Sequence, residues 1–147
     1  MITDARNFYK PFEYQTAFDF YKDQHRAHWL ADEVPLASDL NDWKLKLTES
    51  EKNLIGNILK SFAQTEVHVN DYWSTKVSVW FPKPEVQAMA RVFADFESIH
   101  AEAYARLNEE LGLDDFKILP IRFFSDSVNF NFQSFKSDAN GTSSANQ

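Results

Sequence analysis

Cysteine is absent from the 147 residues, which excludes a disulfide scaffold, a thiolate-held zinc or iron–sulfur site and any thiol nucleophile. A metal in such a chain has to rest on carboxylates and imidazoles. Glycine occurs only at Gly56, Gly112 and Gly141, leaving no glycine-rich loop to cradle a phosphate. No apolar run approaches the ~18–20 residues of a transmembrane helix, and Met1 to Phe12 lacks a basic segment followed by an apolar one. A cytoplasmic protein without a membrane partner is expected. Lysine and arginine form no block, and 15 of them stand against 22 Asp and Glu for a net charge of −7. That balance carries no electrostatic footprint for nucleic acid or anionic lipid.

The material for one folded domain is present, with 44% apolar and 16% aromatic residues. Apolar positions spaced by three and four across residues 1–116 predict an all-α fold. A first helix is expected around Phe18–Ala31, closed by a turn at Glu33-Val34-Pro35. Thr48-Glu49-Ser50-Glu51 has the pattern of a capping box and opens a long helix. Its inward stripe reads Leu54, Ile55, Ile58, Leu59, Phe62, Glu66, Val69 and Trp73, a period close to that of an α-helix. Phe81-Pro82-Lys83-Pro84 interrupts the pattern, because proline lacks a backbone N–H and disfavours helix in the residue before it. A second long helix, about Pro84–Leu111, carries Val86, Met89, Phe93, Phe96, Glu97, His100, Tyr104 and Leu107 on one stripe, with Gly112 placed to end it. The two long helices are expected to pack antiparallel. Residues 117–147 lose this periodicity and end in a polar, low-complexity stretch, expected to be poorly ordered.

Chemistry concentrates on those two stripes. Glu66 stands where its neighbours supply Ile, Leu and Phe. An inward carboxylate needs a basic residue, a proton or a metal, since burying it unpaired is costly; a slightly rotated helix would instead turn it to solvent. Glu97 and His100 are three apart and share a helix face, so both can reach one ion. Pairs of this kind arise by chance as surface neighbours or satisfied core histidines, but here Phe93, Phe96 and Leu107 place the face in the core. Carboxylates plus imidazole suit iron or manganese better than structural zinc, and ferritin-like bundles build such centres from one Glu on each of two helices and a Glu-x-x-His on each of the others. Half of that set is visible here. Tyr104 lies one turn beyond His100. His68 falls on a different face from Glu66, His25 and His28 read as partly exposed helix residues, and Trp43, Trp73 and Trp80 read as packing residues.

Several stretches together resemble the small, radical-generating (beta) subunit of class I ribonucleotide reductase. They are Lys10-Pro11-Phe12, His28-Trp29-Leu30-Ala31-Asp32-Glu33-Val34-Pro35-Leu36, Asp39-Leu40-Asn41-Asp42-Trp43, Gln64-Thr65-Glu66, and Phe96-Glu97-Ser98-Ile99-His100-Ala101-Glu102-Ala103-Tyr104, in the family's order and spacing over residues 9–116. The resemblance implies a ferritin-like bundle, with Glu66, Glu97 and His100 as metal ligands. It implies Tyr104 as bearer of a stable radical and Trp29 as the start of an electron-transfer route. The implied cofactor is dinuclear iron, or manganese or mixed manganese/iron, since many members carry Asp where this chain has Glu66. The implied activity is that of ribonucleoside-diphosphate reductase, an oxidoreductase making deoxyribonucleotides for DNA replication. Implied partners are the large subunit and either a second small subunit in a homodimer or a complementary half-chain.

The family continues past Leu111-Gly112-Leu113-Asp114-Asp115-Phe116 with helices bearing the remaining ligands, whereas this chain has a divergent stretch. Residues 1–116 are therefore expected to be the N-terminal part of the bundle, loosely packed in isolation and exposing both apolar stripes. The competing expectation is a truncated, catalytically inactive helical subunit or a non-catalytic interaction protein.

Overall fold

The computed structural model describes residues 1–113; the end of the expected domain at residue 116 and the tail at 117–147 lie outside them. The described residues form helices and no strands, meeting the all-α expectation for a ferritin-like bundle. No described helix is long and apolar enough to cross a membrane. In chain order the elements are α1 (Gln15–Arg26), a 3₁₀ turn (Ala31–Glu33), α2 (Ala37–Leu45), α3 (Glu49–Asp71), a π-helical stretch (Tyr72–Val77), the short α4 (Ser78–Trp80) and α5 (Pro84–Glu110).

The local signals act as their chemistry requires. Glu51 N donates to Thr48 Oγ1 at 3.3 Å and Thr48 N donates to Glu51 Oε2 at 2.8 Å, so the capping box closes both ways at the start of α3. Beyond α3 the chain widens into the π-helical stretch. There the Ser74 and Thr75 hydroxyls donate to the carbonyls of Asn70 and Asp71, both at 2.8 Å, and so compete with backbone donors for those oxygens. α5 begins with Pro84 in its first turn, where no intrahelical N–H is needed. It ends in a Schellman motif: Leu113 N donates to Asn108 O at 2.8 Å and Gly112 N to Glu109 O at 3.0 Å, with Gly112 at φ +69°.

α3 and α5 pack antiparallel in a register visible along their length. Asn70 Nδ2 donates to Ala94 O at 2.6 Å, the Phe62 and Tyr104 rings lie 5.3 Å apart, and Leu113 lies against Gly56, where an added Cβ would sit 3.2 Å from it. α5 is central, because α1 packs on it as well as α3, and Val86, Ala90, Val92, Phe96 and Ile99 are all buried. The expectation that both apolar stripes are exposed therefore fails for α5. For α3 it is met in part: among the described residues Leu54, Ile58 and Phe62 are 63%, 43% and 45% exposed, whereas Ile55, Leu59, Val69 and Trp73 of the same stripe are partly buried.

α1 also departs from the sequence reading, starting at Gln15 and stopping at Arg26 rather than running over Phe18–Ala31. The reason is tertiary. Glu85, fully buried in the first turn of α5, accepts from Glu13 N at 2.9 Å and Tyr14 N at 3.2 Å, which sets where α1 begins. The same carboxylate takes Arg6 Nη2 at 2.6 Å and Nη1 at 3.4 Å, and the nearly buried Lys83 Nζ meets Glu13 Oε1 at 2.7 Å. Burial pushes the Glu85 carboxyl up, but its own N–H, those of Glu13 and Tyr14 and the Arg6 guanidinium outweigh this and hold it below the usual value.

Glu85→Ala removes the buried ion-pair partner of Arg6, whose side chain is 4% exposed, leaving it the Phe8 and Tyr9 carbonyls and Glu13 at 3.6 Å, and should cost about 3 kcal/mol in chemical denaturation. Because the folded-state value is depressed, the contribution of Glu85 is present above the ordinary value of 4.5 and is lost as pH falls through the folded one. The acid limb of a melting-temperature profile should flatten in Glu85→Gln; an unchanged profile would assign acid sensitivity elsewhere.

Candidate metal centre

The antiparallel register brings the middle of α3 opposite the middle of α5, and Glu66 from the first meets Glu97 and His100 from the second. One donor atom of each lies within 4.8 Å of the others. The i,i+3 spacing places Glu97 Oε2 3.0 Å from His100 Nδ1, and Glu66 Oε2 lies 3.9 Å from the same nitrogen. His100 thus directs Nδ1 at both carboxylates. Glu66 and Glu97 are mostly buried, at 15% and 17% side-chain exposure, while His100 is 38% exposed. Glu66 is not turned to solvent, which decides between the two orientations open to it from the sequence.

Two carboxylates converging in a partly dry space disfavour a second negative charge. Glu66 is pushed up to about 7, first by burial, then by its hydrogen bond to Glu97 and the Glu97 charge, with His100 pulling the other way. Such a site holds a proton between its carboxylates or takes a cation in its place. The donor set, oxygen-rich with one imidazole, fits iron or manganese. Three donors fall short of the six of octahedral coordination for even one ion.

Tyr104 and Trp29 both lie near this centre and border one cavity with His100. Tyr104, one turn beyond His100, packs on Phe62 across the helix pair, while Phe93 and Phe96 belong to the turns on the far side of Glu97. Its phenol is raised above the usual value by burial and then by the Glu66 charge. Trp29 comes from the irregular segment between α1 and the 3₁₀ turn, and its ring lies 5.9 Å from that of His100, tilted by 34°. Trp29, His100, Tyr104, Arg106 and Leu107 share the wall of a cavity of about 240 Å³. His28 sits in the same irregular segment rather than on a helix, exposed but with its ring 5.9 Å from that of Phe96. His68 is exposed on α3, as its face predicts. Trp73 packs edge-on against Phe93 at 4.9 Å.

Besides Glu85, two polar residues of α5 on the Tyr104 side of the centre escaped the sequence reading. Arg106 Nη1 donates to the carbonyl of Ala31 at 2.7 Å. Asn108, one turn beyond Tyr104, is fully buried, and neither its amide nitrogen nor its oxygen has a hydrogen-bond partner among the described residues. The only available signal was a polar residue flanking Leu107 on an otherwise apolar face, and that does not separate a buried amide from an exposed one.

With this geometry in place, similarity to known proteins is informative. The family model for the ribonucleotide reductase small chain matches residues 6–122. The chain is 37% identical over 114 residues to the probable ribonucleoside-diphosphate reductase small subunit 376L of Invertebrate iridescent virus 6, an alignment covering 78% of this chain and 32% of that protein. It is 33% identical over 140 residues to the probable small subunit 048L of Invertebrate iridescent virus 3, covering 92% and 37%. With the ribonucleoside-diphosphate reductase small subunit of Dictyostelium discoideum it shares 32% identity over 99 residues, covering 67% and 29%. The chain therefore spans about a third of the length of these relatives. It belongs to the ribonucleotide reductase small-chain family.

Proposed function

We propose that this chain forms part of the radical-generating small subunit of a class I ribonucleoside-diphosphate reductase. In this reading Glu66, Glu97 and His100 are metal ligands, Tyr104 bears the radical and Trp29 begins the electron-transfer route. The observation that carries it is the convergence of the three donors within 4.8 Å on two facing helices, with Tyr104 one turn further along α5. A dinuclear iron centre, or its manganese or mixed counterpart, supplies oxidising power from dioxygen when bound. Glu66 and Glu97 bring the negative charge that attracts such ions, and His100 offers Nδ1. The Tyr104 phenol keeps its proton at neutral pH, so forming a neutral radical there would require loss of the Oη proton as well as an electron. Phe62 covers the ring from one side.

The large subunit is the proposed recipient of the radical equivalent, which it uses to reduce ribonucleotides to deoxyribonucleotides. Residues 1–116 act as the N-terminal part of the ferritin-like domain in this proposal, with 117–147 a divergent tail, and the location is cytoplasmic. Further small-subunit helices, of the kind a complementary half-chain brings, cover Leu54, Ile58 and Phe62 and complete the coordination; a homodimer mate alone duplicates the same three ligands. The exposed stripe on α3 and the threefold greater length of the relatives support this.

Glu97→Ala should abolish iron uptake by the assembled protein, measured as bound iron per chain; uptake equal to the parent would remove Glu97 from the ligand set. Metal affinity should weaken as pH falls through about 7, because the proton held by Glu66 then competes with the ion, and competition titrations at several pH values read this directly. Electron paramagnetic resonance after addition of iron and dioxygen should show a tyrosyl signal that Tyr104→Phe eliminates. One bound ion or none, with no signal in the parent assembly, would favour an inactive subunit.

A further inference from the structure

We infer that Arg106 is a positioning residue that holds Trp29 over His100 by fastening the Ala31 carbonyl to α5. The inference rests on the proposed role of Trp29 for its functional meaning, but its geometric content stands alone.

The segment that carries Trp29 has little of its own to fix it. Ala27–Leu30 belongs to no helix, and the 3₁₀ turn that follows is three residues long. Leu30 and Val34, flanking that turn, are 47% and 37% exposed, so most of its apolar side chains do not anchor it. Ala31 is the exception, buried against α5 but with only a methyl group to contribute. Trp29 itself is half-buried and borders the cavity of about 240 Å³, so packing leaves the indole space to move into.

Against this stands one strong polar contact. Arg106 Nη1 reaches Ala31 O at 2.7 Å, and the bond is partly buried and charge-assisted on the donor side. Leu30 is extended, at φ −120° and ψ 150°, so the fixed carbonyl and the Trp29 ring are separated by a single stretched residue. Arg106 lies on the same helix as His100, six residues on. The donor that pins the segment and the imidazole under Trp29 therefore ride on one rigid element. Movement of α5 carries both together and preserves the 5.9 Å ring separation. A guanidinium is suited to this role because its donors are held in a planar fork on a long stem.

The test uses the full 147-residue chain labelled with 5-fluorotryptophan, whose four fluorine NMR signals are assigned by single Trp→Phe variants. Arg106→Met keeps the aliphatic stem and removes the donors. It should shift and broaden the Trp29 signal and move the His100 ring-proton resonances, while the Trp73 signal and the His68 resonances stay in place. Arg106→Lys, which restores a cationic donor, should return the Trp29 signal toward its parental position. An unmoved Trp29 signal in Arg106→Met would overturn the inference, as would collapse of all four signals together, which marks a stability role. A signal displaced equally in the Lys and Met variants would overturn the hydrogen bond as the cause. Failure of the wider reading looks different: Trp29→Phe would leave electron delivery to the metal-loaded assembly intact, while Arg106→Met still displaced the Trp29 signal.

Discussion

Antiparallel packing of α3 on α5 in a single register is the interaction on which the rest of the structure depends, because each long helix carries only part of any site. Contacts at both ends and in the middle hold that register. Leu113 closes on Gly56 at one end, Phe62 meets Tyr104 near the centre, and Asn70 donates to the Ala94 carbonyl toward the other end. A slip of one residue rotates a helical side chain by about 100°, which would carry Glu66 away from Glu97 and His100. The Schellman end of α5 contributes directly, since it delivers Leu113 to the one position on α3 without a side chain.

α5 buries two carboxylates and treats them in opposite ways. Glu85 is surrounded by donors: a guanidinium and backbone N–H groups that satisfy its charge and lock the N-terminal segment onto the helix. Glu97 faces another carboxylate, and the pair relieves its repulsion by keeping a proton on Glu66 near neutral pH. The first arrangement is closed and structural. The second brings carboxylate oxygens and His100 Nδ1 within 4.8 Å of one another, with no basic side chain other than that imidazole against them among the described residues, an arrangement that could hold a cation. Burial alone therefore does not distinguish a fastening carboxylate from a chemical one; the sign of the groups around it does.

The surroundings of the centre divide by rigidity. Tyr104 and His100 sit on α5 and inherit its order, whereas Trp29 arrives on irregular chain and owes its place to contacts made by others. Arg106 supplies one of those contacts from the same helix that carries the histidine.

Much of this was legible in the sequence because it depends on local periodicity and local chemistry. The capping box at Thr48, the stop at Pro82, the Gly112 terminus and the i,i+3 pairing of Glu97 with His100 each involve residues a few positions apart, and the structure has all of them. The presence of Glu66 in an apolar stripe pointed to an inward carboxylate without saying what it meets. Only the tertiary structure decided that it meets Glu97 and His100, that α1 starts at Gln15 because Glu85 captures the N–H groups before it, and that Leu54, Ile58 and Phe62 remain exposed. Those outcomes turn on pairings between residues tens of positions apart. Hydrophobic period determines which face of a helix is apolar; what covers that face, and which charges it brings together, is set by the register of the neighbouring helix.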